Sequence, residues 1–123
     1  MKILIIDDNQ EITKPLSKFL TVKGHDCTVS NDGKNGLTLL QKQRFNVVLL
    51  DLALPEFSGY DIIDALERDD KLKESAIIVF TALSLKNEEM DKLKKRGIYA
   101  CINKPTQLNL LLKIIEGVKD ITV

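Results

Sequence analysis

Five short apolar segments recur along the chain at lengths typical of β-strands, and longer stretches of mixed polarity separate them. The segments cover residues 3–6, 27–30, 47–50, 77–80 and 98–102. The first, third and fourth are continuously apolar, which is typical of parallel strands that are covered on both faces. The second alternates polar and apolar residues, so we predict that it forms an edge strand.

Apolar residues at helical spacing mark the stretches that follow each segment. The five sets are Ile12, Leu16, Phe19 and Leu20; Leu37 and Leu40; Ile62, Ile63 and Leu66; Met90, Leu93 and Gly97; and Leu108, Leu111, Leu112, Ile115 and Val118. Strand alternating with helix five times predicts an α/β fold with a parallel sheet and five helices. Pro15 falls within the first set. We interpret it as a proline of the first helical turn, where its missing amide costs no hydrogen bond, and the alternative is a helix that kinks at Pro15.

Polar side chains follow four of the predicted strands at their carboxyl ends. They are Asp7 and Asp8 after the first strand, Asp51 after the third, Thr81 after the fourth and Lys104 shortly after the fifth. With the second strand at the edge beside the first, right-handed crossovers give the order 2-1-3-4-5 of a doubly wound, flavodoxin-like three-layer sandwich. Ligands bind such sheets where the order reverses, here between the first and third strands. We therefore expect the three aspartates to meet there.

Three aspartates that meet in one place repel each other. A like-charged pair at about 4 Å repels by roughly 4 kcal/mol at an effective dielectric near 20. One interpretation is that these residues are solvated turn aspartates. The other is a site for a hard divalent cation, Mg²⁺ or Mn²⁺, held by oxygen ligands.

The metal interpretation gives each polar residue a chemical part. Asp7 and Asp8 are adjacent, which suits metal capture, and Asp51 stands alone on a central strand as a carboxylate nucleophile that forms an acyl phosphate. Thr81 is suited to donate a hydrogen bond to a phosphoryl oxygen. Lys104 is suited to neutralise the charge of the incoming group.

The composition limits the classes of partner. Lysine plus arginine and aspartate plus glutamate number 18 each, so the formal net charge is zero, which argues against direct binding of nucleic acid or membrane by bulk charge. Hydrophobic residues make up 44% of the chain, enough for the core of one domain spanning residues 1–123. No apolar run approaches the roughly 18 residues of a membrane span, and the N-terminus lacks the pattern of a signal peptide, so we expect a cytoplasmic protein.

The motifs at the strand ends resemble the receiver domain of bacterial and archaeal two-component response regulators, and the resemblance covers essentially the whole chain. The matching features are Ile5-Ile6-Asp7-Asp8-Asn9, then Val48-Leu49-Leu50-Asp51 followed by Pro55 and Gly59, then Phe80-Thr81-Ala82, then Lys104-Pro105. Each feature is weak by itself, and together in this order and spacing they are specific.

The resemblance implies a phosphoacceptor switch rather than an enzyme in the ordinary sense. Asp51 would accept a phosphoryl group from a phosphohistidine on a sensor histidine kinase or a histidine phosphotransfer protein. Mg²⁺ would be bound by Asp7, Asp8 and Asp51 together with the backbone carbonyl of Ala53. The output would be binding to a downstream protein target.

The resemblance also implies roles around the acceptor. Lys104 would contact the phosphoryl group through a loop whose Lys104–Pro105 bond is cis. Thr81 would move inward when the acceptor is modified, and the small side chain of Ala82 would leave access to the acceptor.

Several positions depart from the usual family pattern. Cys101 stands where the family usually has an aromatic residue, and Tyr99, two residues earlier on the same strand face, is the candidate replacement. Thr106 stands where a phenylalanine often follows the Lys-Pro pair. Ala53 and Leu83 occupy two positions that commonly affect the lifetime of the phosphoryl group. Neither side chain can position an attacking water, so we expect slow self-dephosphorylation.

Leu110 and Ile114 fall on the face of the fifth helix opposite its core residues. Exposed apolar pairs can mark a partner surface, and in the family the fourth helix, fifth strand and fifth helix often carry output or dimer contacts. A homodimer through this region is therefore a candidate assembly.

The two cysteines and the histidine are expected to have no catalytic or metal-binding role. Cys27 and Cys101 lie on strands at opposite edges of the predicted sheet, which excludes a disulfide between them. His25 has no cysteine or second histidine close enough in sequence to suggest zinc, and we expect it to lie in a surface loop.

Two other functions remain open at this point. A small Mg²⁺-dependent phosphatase with an aspartate nucleophile usually has a second acid two residues after the nucleophile, where this chain has Ala53. The other function is that of a phosphorylation-independent protein interaction domain. The acidic cluster argues against it, whereas Cys101, at the position of the usual aromatic residue, is compatible with it.

Overall fold

The chain alternates strand and helix five times, as predicted. The structure is a computed structural model that describes residues 1–118, so the last five residues of the predicted domain, 119–123, lie outside the described residues. The elements are β1 (Lys2–Ile6), α1 (Gln10–Val22), β2 (Asp26–Ser30), α2 (Gly33–Lys42), β3 (Val47–Leu50), α3 (Gly59–Arg68), β4 (Ala76–Thr81), α4 (Asn87–Arg96), β5 (Ala100–Asn103) and α5 (Leu108–Glu116). Within residues 1–118, no helix combines the length and apolar character needed to cross a membrane.

The strands form one parallel sheet in the order β2-β1-β3-β4-β5, which confirms the predicted doubly wound fold. Ile6 of β1 pairs with Leu50 of β3, and Leu50 pairs with Val79 of β4. Thr81, the last residue of β4, pairs with Asn103 at the end of β5. The carboxyl ends of neighbouring strands therefore lie close to the same level, and the residues that follow them share one edge of the sheet.

Helices cover both faces of the sheet, and this explains the apolar character of the central strands. On one face, α2, α3 and α4 pack on strand residues such as Leu4 and Leu50. On the other face, α1 and α5 pack on residues such as Ile5 and Leu49. Each buried leucine or isoleucine stabilises the fold by about 1.5–3 kcal/mol relative to an exposed side chain. Strand β2 lies at an edge of the sheet, as predicted.

Polar caps fix where the helices next to the carboxyl edge begin. The side chain of Asn9 accepts a hydrogen bond from the amide of Glu11 at 3.0 Å and starts α1. Ser58 and Asp61 form a reciprocal capping box that starts α3. These caps hold the short loops that follow β1 and β3, which are the loops that carry the candidate site.

Strand β5 starts two residues later than the predicted segment 98–102. Gly97 has a φ of 124° and ends α4. The amide of Ile98 donates to the carbonyl of Leu93 at 3.1 Å, a bond that closes the helix. Strand β5 therefore begins only at Ala100, after the chain has turned away from α4.

Pro15 lies inside α1 rather than in its first turn, so our interpretation of this residue was wrong. The helix begins at Gln10, five residues before the proline. A proline at this depth leaves a carbonyl of the preceding turn without its helical partner. The helix nevertheless continues to Val22, because Leu16 and Leu20 on its inner face are buried in the core.

His25 lies in the loop between α1 and β2, as expected, but its side chain is only 8% exposed. Its Nδ1 lies 3.0 Å from the amino group of Met1, and its Nε2 lies 3.3 Å from a carboxylate oxygen of Glu116 at the end of α5. This contact joins residues far apart in the sequence, so no local pattern indicated it.

Candidate metal centre at the carboxyl edge of the sheet

The three aspartates meet where the strand order reverses. One carboxylate oxygen from each of Asp7, Asp8 and Asp51 lies within 4.8 Å of the other two. Asp7 and Asp51 are 3% and 7% exposed, whereas Asp8 is open to solvent. Hard divalent cations prefer oxygen ligands of this kind, and Mg²⁺ in particular keeps some of its water, which the exposed side of the site allows.

Backbone hydrogen bonds continue the strand pairing by one residue and thereby position both buried aspartates. The amide of Asp51 donates to the carbonyl of Ile6 at 3.0 Å, and the amide of Asp7 donates to the carbonyl of Ser30 at 3.0 Å. The carboxylate of Asp7 also accepts a hydrogen bond from the amide of Asn9 at 2.9 Å. The two carboxylates are therefore held by the sheet rather than by a flexible loop.

Lys104 reaches the same cluster from the loop after β5. Its amide donates to the carbonyl of Thr81 at 2.8 Å, and its ammonium group donates to Asp7 and, at 3.3 Å, to Oδ2 of Asp51. The lysine side chain is 9% exposed. The peptide bond to Pro105 is cis, as the resemblance implies.

The charges of the site do not balance. Three carboxylates face one ammonium group, and burial weakens the screening of their repulsion by water. A divalent cation at the cluster would relieve this repulsion, because its positive charge attracts all three carboxylates and is often the largest single charge in such a site. The donor set thus fits a divalent metal ion.

Thr81 and Ala53 border the cluster through backbone contacts. Thr81 is fully buried, and its Oγ1 accepts a hydrogen bond from the amide of Leu83 at 3.2 Å. Its hydroxyl proton is consequently left to donate in another direction. The amide of Ala53 donates to Oδ1 of Asp51 at 3.1 Å, and Ala82 is exposed beside Thr81.

Three residues contribute to the site without having been given a role from the sequence. Gly59 contacts the backbone of Asp51. The side chain of Asn31 donates from Nδ2 to the carbonyl of Asp7 at 3.1 Å. The ring of Phe80 lies next to the ammonium group of Lys104. Gly59 and Phe80 belong to motifs that signalled the site. Asn31 carried no signal, because its loop reaches the site from the edge strand.

Tyr99 and Thr81 lie near opposite ends of the neighbouring strands β5 and β4: Tyr99 directly precedes β5, and Thr81 is the last residue of β4. The hydroxyl of Tyr99 donates to the carbonyl of Gly117 at 3.4 Å, just after α5. Thr81 pairs with Asn103, four residues further along the chain than Tyr99, which corresponds to about 13 Å at roughly 3.3 Å per residue. Cys101 lies between them, packs against the core on the α3 side, and has a raised thiol pKa because it is partly buried.

The apolar residues of α5 differ in part from the predicted pattern. Leu110 is 51% exposed, as expected, whereas Ile114 packs partly buried against the core on the α1 side. Leu108, which we placed among the core residues, is exposed because it is the first residue of the helix. The exposed apolar surface of α5 therefore consists of Leu108 and Leu110 rather than of the predicted pair.

Comparison with known proteins gives a consistent set of relatives. A family model described as "Response regulator receiver domain" matches residues 3–116. The chain is 27% identical over 115 residues to the polar-differentiation response regulator DivK of Brucella anthropi, with 94% of this chain and 93% of that protein covered.

Solved structures with this fold extend the comparison. The chemotaxis protein CheY4 of Vibrio cholerae superposes with a TM-score of 0.84 at 27% identity, covering 96% of this chain and 98% of that one. A CheY-like response regulator receiver domain protein from Methanospirillum hungatei gives a TM-score of 0.82 at 27% identity, with 94% and 90% covered. The matched region contains all three aspartates and the lysine of the site.

Proposed function

The chain belongs to the response regulator receiver domain family, which confirms the resemblance in its motifs, and on that premise we propose that Asp51 is its phosphoacceptor. Receiver domains act in two-component signal transduction as phosphoacceptor switches that interact with histidine kinases and downstream targets. The proposed donor is a phosphohistidine on a sensor histidine kinase or a histidine phosphotransfer protein. The observation that carries the proposal is the buried Asp51 carboxylate between two further aspartates and a lysine.

The proposed reaction is a transfer of one phosphoryl group from nitrogen to oxygen. A carboxylate oxygen of Asp51 attacks phosphorus and forms the new P–O bond of an acyl phosphate. The P–N bond to the donor histidine breaks, and its electron pair returns to the imidazole. Attack by a carboxylate releases no proton from the acceptor.

We propose that Mg²⁺ or Mn²⁺ is held by Asp7, Asp8 and Asp51 together with the backbone carbonyl of Ala53. A bound ion of this type neutralises the carboxylates and orients a phosphoryl oxygen for in-line displacement. The exposed position of Asp8 supports this assignment, since an ion can enter on that side with its water.

Lys104 and Thr81 are proposed to stabilise the transferred group. The ammonium group of Lys104, already hydrogen-bonded to Asp51, exchanges a carboxylate partner for a phosphoryl oxygen. The buried hydroxyl of Thr81 has a proton to donate to another phosphoryl oxygen. Both contacts form only after the phosphoryl group arrives, so they can report the modification to the rest of the fold.

The decisive experiment is modification by a small phosphodonor followed by intact-mass measurement. Incubation with acetyl phosphate and Mg²⁺ should add the mass of one phosphoryl group to the wild type and to Asp91→Asn, which removes an exposed acid on α4. Asp51→Asn should gain no mass, and chelation of the metal should slow the wild-type reaction. Equal modification of wild type and Asp51→Asn would contradict the proposal.

A phosphorylation-independent interaction domain is the second candidate. The observation in its favour is the position of Tyr99, the candidate replacement for the family's aromatic residue. Tyr99 is hydrogen-bonded to Gly117 and lies at the amino end of β5, whereas Thr81 lies at the carboxyl end of β4. Addition of beryllofluoride and Mg²⁺ distinguishes the two candidates in an NMR spectrum. Shifts in α4 and β5 resonances support a phosphorylation switch, and an unchanged α4 and β5 supports the second candidate.

A further inference from the structure

The ammonium group of Lys104 lies over the ring of Phe80, with 5.4 Å between the nitrogen and the ring centroid. Phe80 is buried in β4, directly before Thr81. We propose that Phe80 is a positioning residue that holds the Lys104 ammonium group in place for transfer to Asp51. This inference rests on the proposed function and adds to it a residue that does not itself touch the phosphoryl group.

The lysine head has contacts of two kinds, hydrogen bonds to carboxylates and an aromatic ring face. Its two hydrogen bonds go to Asp7 and Asp51. A lysine stem has four methylene groups and turns easily, so contacts with carboxylates at the tip alone leave the stem free to swing. The ring of Phe80 supplies a further contact, because the electron-rich face of an aromatic ring attracts a cation.

The Lys104 side chain also borders a partly open, largely apolar cleft beside Phe80. The cleft has a volume of about 220 Å³, and Ile12, Leu16 and Pro105 line it together with Phe80 and Lys104. Because the lysine side chain is 9% exposed, attraction between its charge and the ring is stronger there than at a solvated surface. The low exposure of the lysine side chain therefore strengthens its contact with the ring.

The ring contact can persist while the anionic partners change. In the structure the ammonium group is bonded to Asp7 and Asp51, and in the proposed product it must bond to a phosphoryl oxygen on Asp51. A hydrogen bond to a carboxylate requires one direction, whereas the attraction to a ring face tolerates small displacements. Phe80 can accordingly hold the cation near its target before, during and after transfer.

The test compares Phe80→Leu with Phe80→Tyr and with a matched control elsewhere in the sheet. Phe45 is also fully buried, and the Lys2 ammonium group lies 5.2 Å from its ring centroid. Phe45→Leu therefore removes a similar pair at the amino edge of the sheet. Two quantities are measured in the full chain. The first is the NMR chemical shift of the Lys104 ε-methylene group, whose resonance is identified because it is lost in Lys104→Arg. The second is the maximal rate of modification by acetyl phosphate with Mg²⁺.

We expect Phe80→Leu to move the Lys104 methylene resonance away from its ring-shifted position and to lower the maximal rate roughly three- to tenfold. Phe80→Tyr keeps the ring face and should retain both the shift and, within about twofold, the rate. Phe45→Leu should leave both unchanged, although it removes a buried ring. A merely structural role would instead make Phe80→Tyr and Phe80→Leu equally slow.

The outcomes separate this inference from the proposed function. Wild-type rates in Phe80→Leu, equally slow Leu and Tyr variants, or an equal loss in Phe45→Leu would each overturn the role of Phe80 while leaving Asp51 as the acceptor. A wild type that is not modified at all would overturn the proposed function and the effect on rate with it. In that case the methylene shift would show separately whether the ring holds the lysine.

Discussion

Gly59, the first residue of α3, packs directly on the backbone of Asp51. A β-carbon built at Gly59 would lie 2.5 Å from the carbonyl oxygen of Asp51, closer than real contacts of this kind. The amide of Gly59 also donates to the carbonyl of Leu52 at 3.2 Å. The start of α3 and the end of β3 are thus in contact at the candidate acceptor, and only a residue without a side chain fits there.

Replacement of this glycine should therefore disturb both the fold and the site. We expect Gly59→Ala to lower the free energy of unfolding by about 1–3 kcal/mol, the usual cost of overpacking against backbone, and to slow modification of Asp51. Urea unfolding and the acetyl phosphate reaction measure the two effects. Gly117→Ala is the control, since a β-carbon there meets its nearest atom at 3.2 Å at the end of α5, and we expect less change in stability and none at the site. Similar behaviour of the two variants would argue against the contact.

Removal of one carboxylate should stabilise the metal-free protein. Asp51→Asn leaves Lys104 paired with Asp7 and removes the repulsion of the third charge, so we expect the free energy of unfolding without Mg²⁺ to rise by about 1–2 kcal/mol. Mg²⁺ should raise the melting temperature of the wild type more than that of the variant, because a ligand stabilises the state that binds it. Thermal unfolding with and without Mg²⁺ measures both effects, with Asp91→Asn as a control for charge. Identical stability of wild type and Asp51→Asn in both conditions would contradict the prediction.

Two small changes should shorten the lifetime of the phosphoryl group, if Asp51 accepts one. The amide of Ala53 donates a hydrogen bond to Asp51, and the amide of Leu83 donates one to Thr81. Ala53 and Leu83 are both exposed next to the site. Ala53→Asn with Leu83→Glu introduces polar groups able to hold an attacking water. We expect faster loss of the added mass with excess Mg²⁺ than in the wild type, which should dephosphorylate slowly. An unchanged rate of loss would show that these positions do not control the lifetime.

Arg96 joins α4 to α3 through a pair of acidic residues. Its guanidinium lies 2.7 Å from Asp64 and 3.1 Å from Glu67. Hydrogen bonds to Glu67, and to a lesser extent to Asp64, raise the pKa of Arg96. Because the acids are largely exposed, water and salt weaken these pairs. We expect Arg96→Leu to lower the free energy of unfolding by about 0.5–1 kcal/mol in low salt and by less in 1 M salt.

The control for this ion pair is the neighbouring residue. Lys95 makes no ion pair with any residue of the described part of the chain, so Lys95→Leu should change stability less and without the same dependence on salt. Chemical unfolding at two salt concentrations measures the difference. An equal effect of the two substitutions would assign the loss to charge or to helix propensity rather than to the contact with α3.

Most of the fold could be predicted because its signals are local. The continuous apolar run Val47–Leu50 reports burial on both faces, and the polar alternation of β2 reports an edge. From these signals the strand order follows, since few topologies satisfy right-handed crossovers. The order in turn predicts that Asp7, Asp8 and Asp51 lie together, and they do.

The features that were not predicted concern contacts between distant segments. Pro15 was placed in the first turn because isolated propensities favour that position, but burial of the inner face of α1 extends the helix past it. The loop position of His25 was predicted, but the cover of its side chain by Met1 and by Glu116 at the end of α5 was not. At Pro15 tertiary packing outweighed a local preference.

The sequence by itself determined the elements, their order in the sheet and the chemistry gathered at its carboxyl edge, because periodicity and strand ends are properties of neighbouring residues. Only the tertiary structure decided how that chemistry is arranged. Lys104 and Asp7 are 97 positions apart, and their contact, like that of the lysine with Phe80, depends on strand register and loop paths. Those are set by packing across the whole domain, which no local segment of the chain encodes.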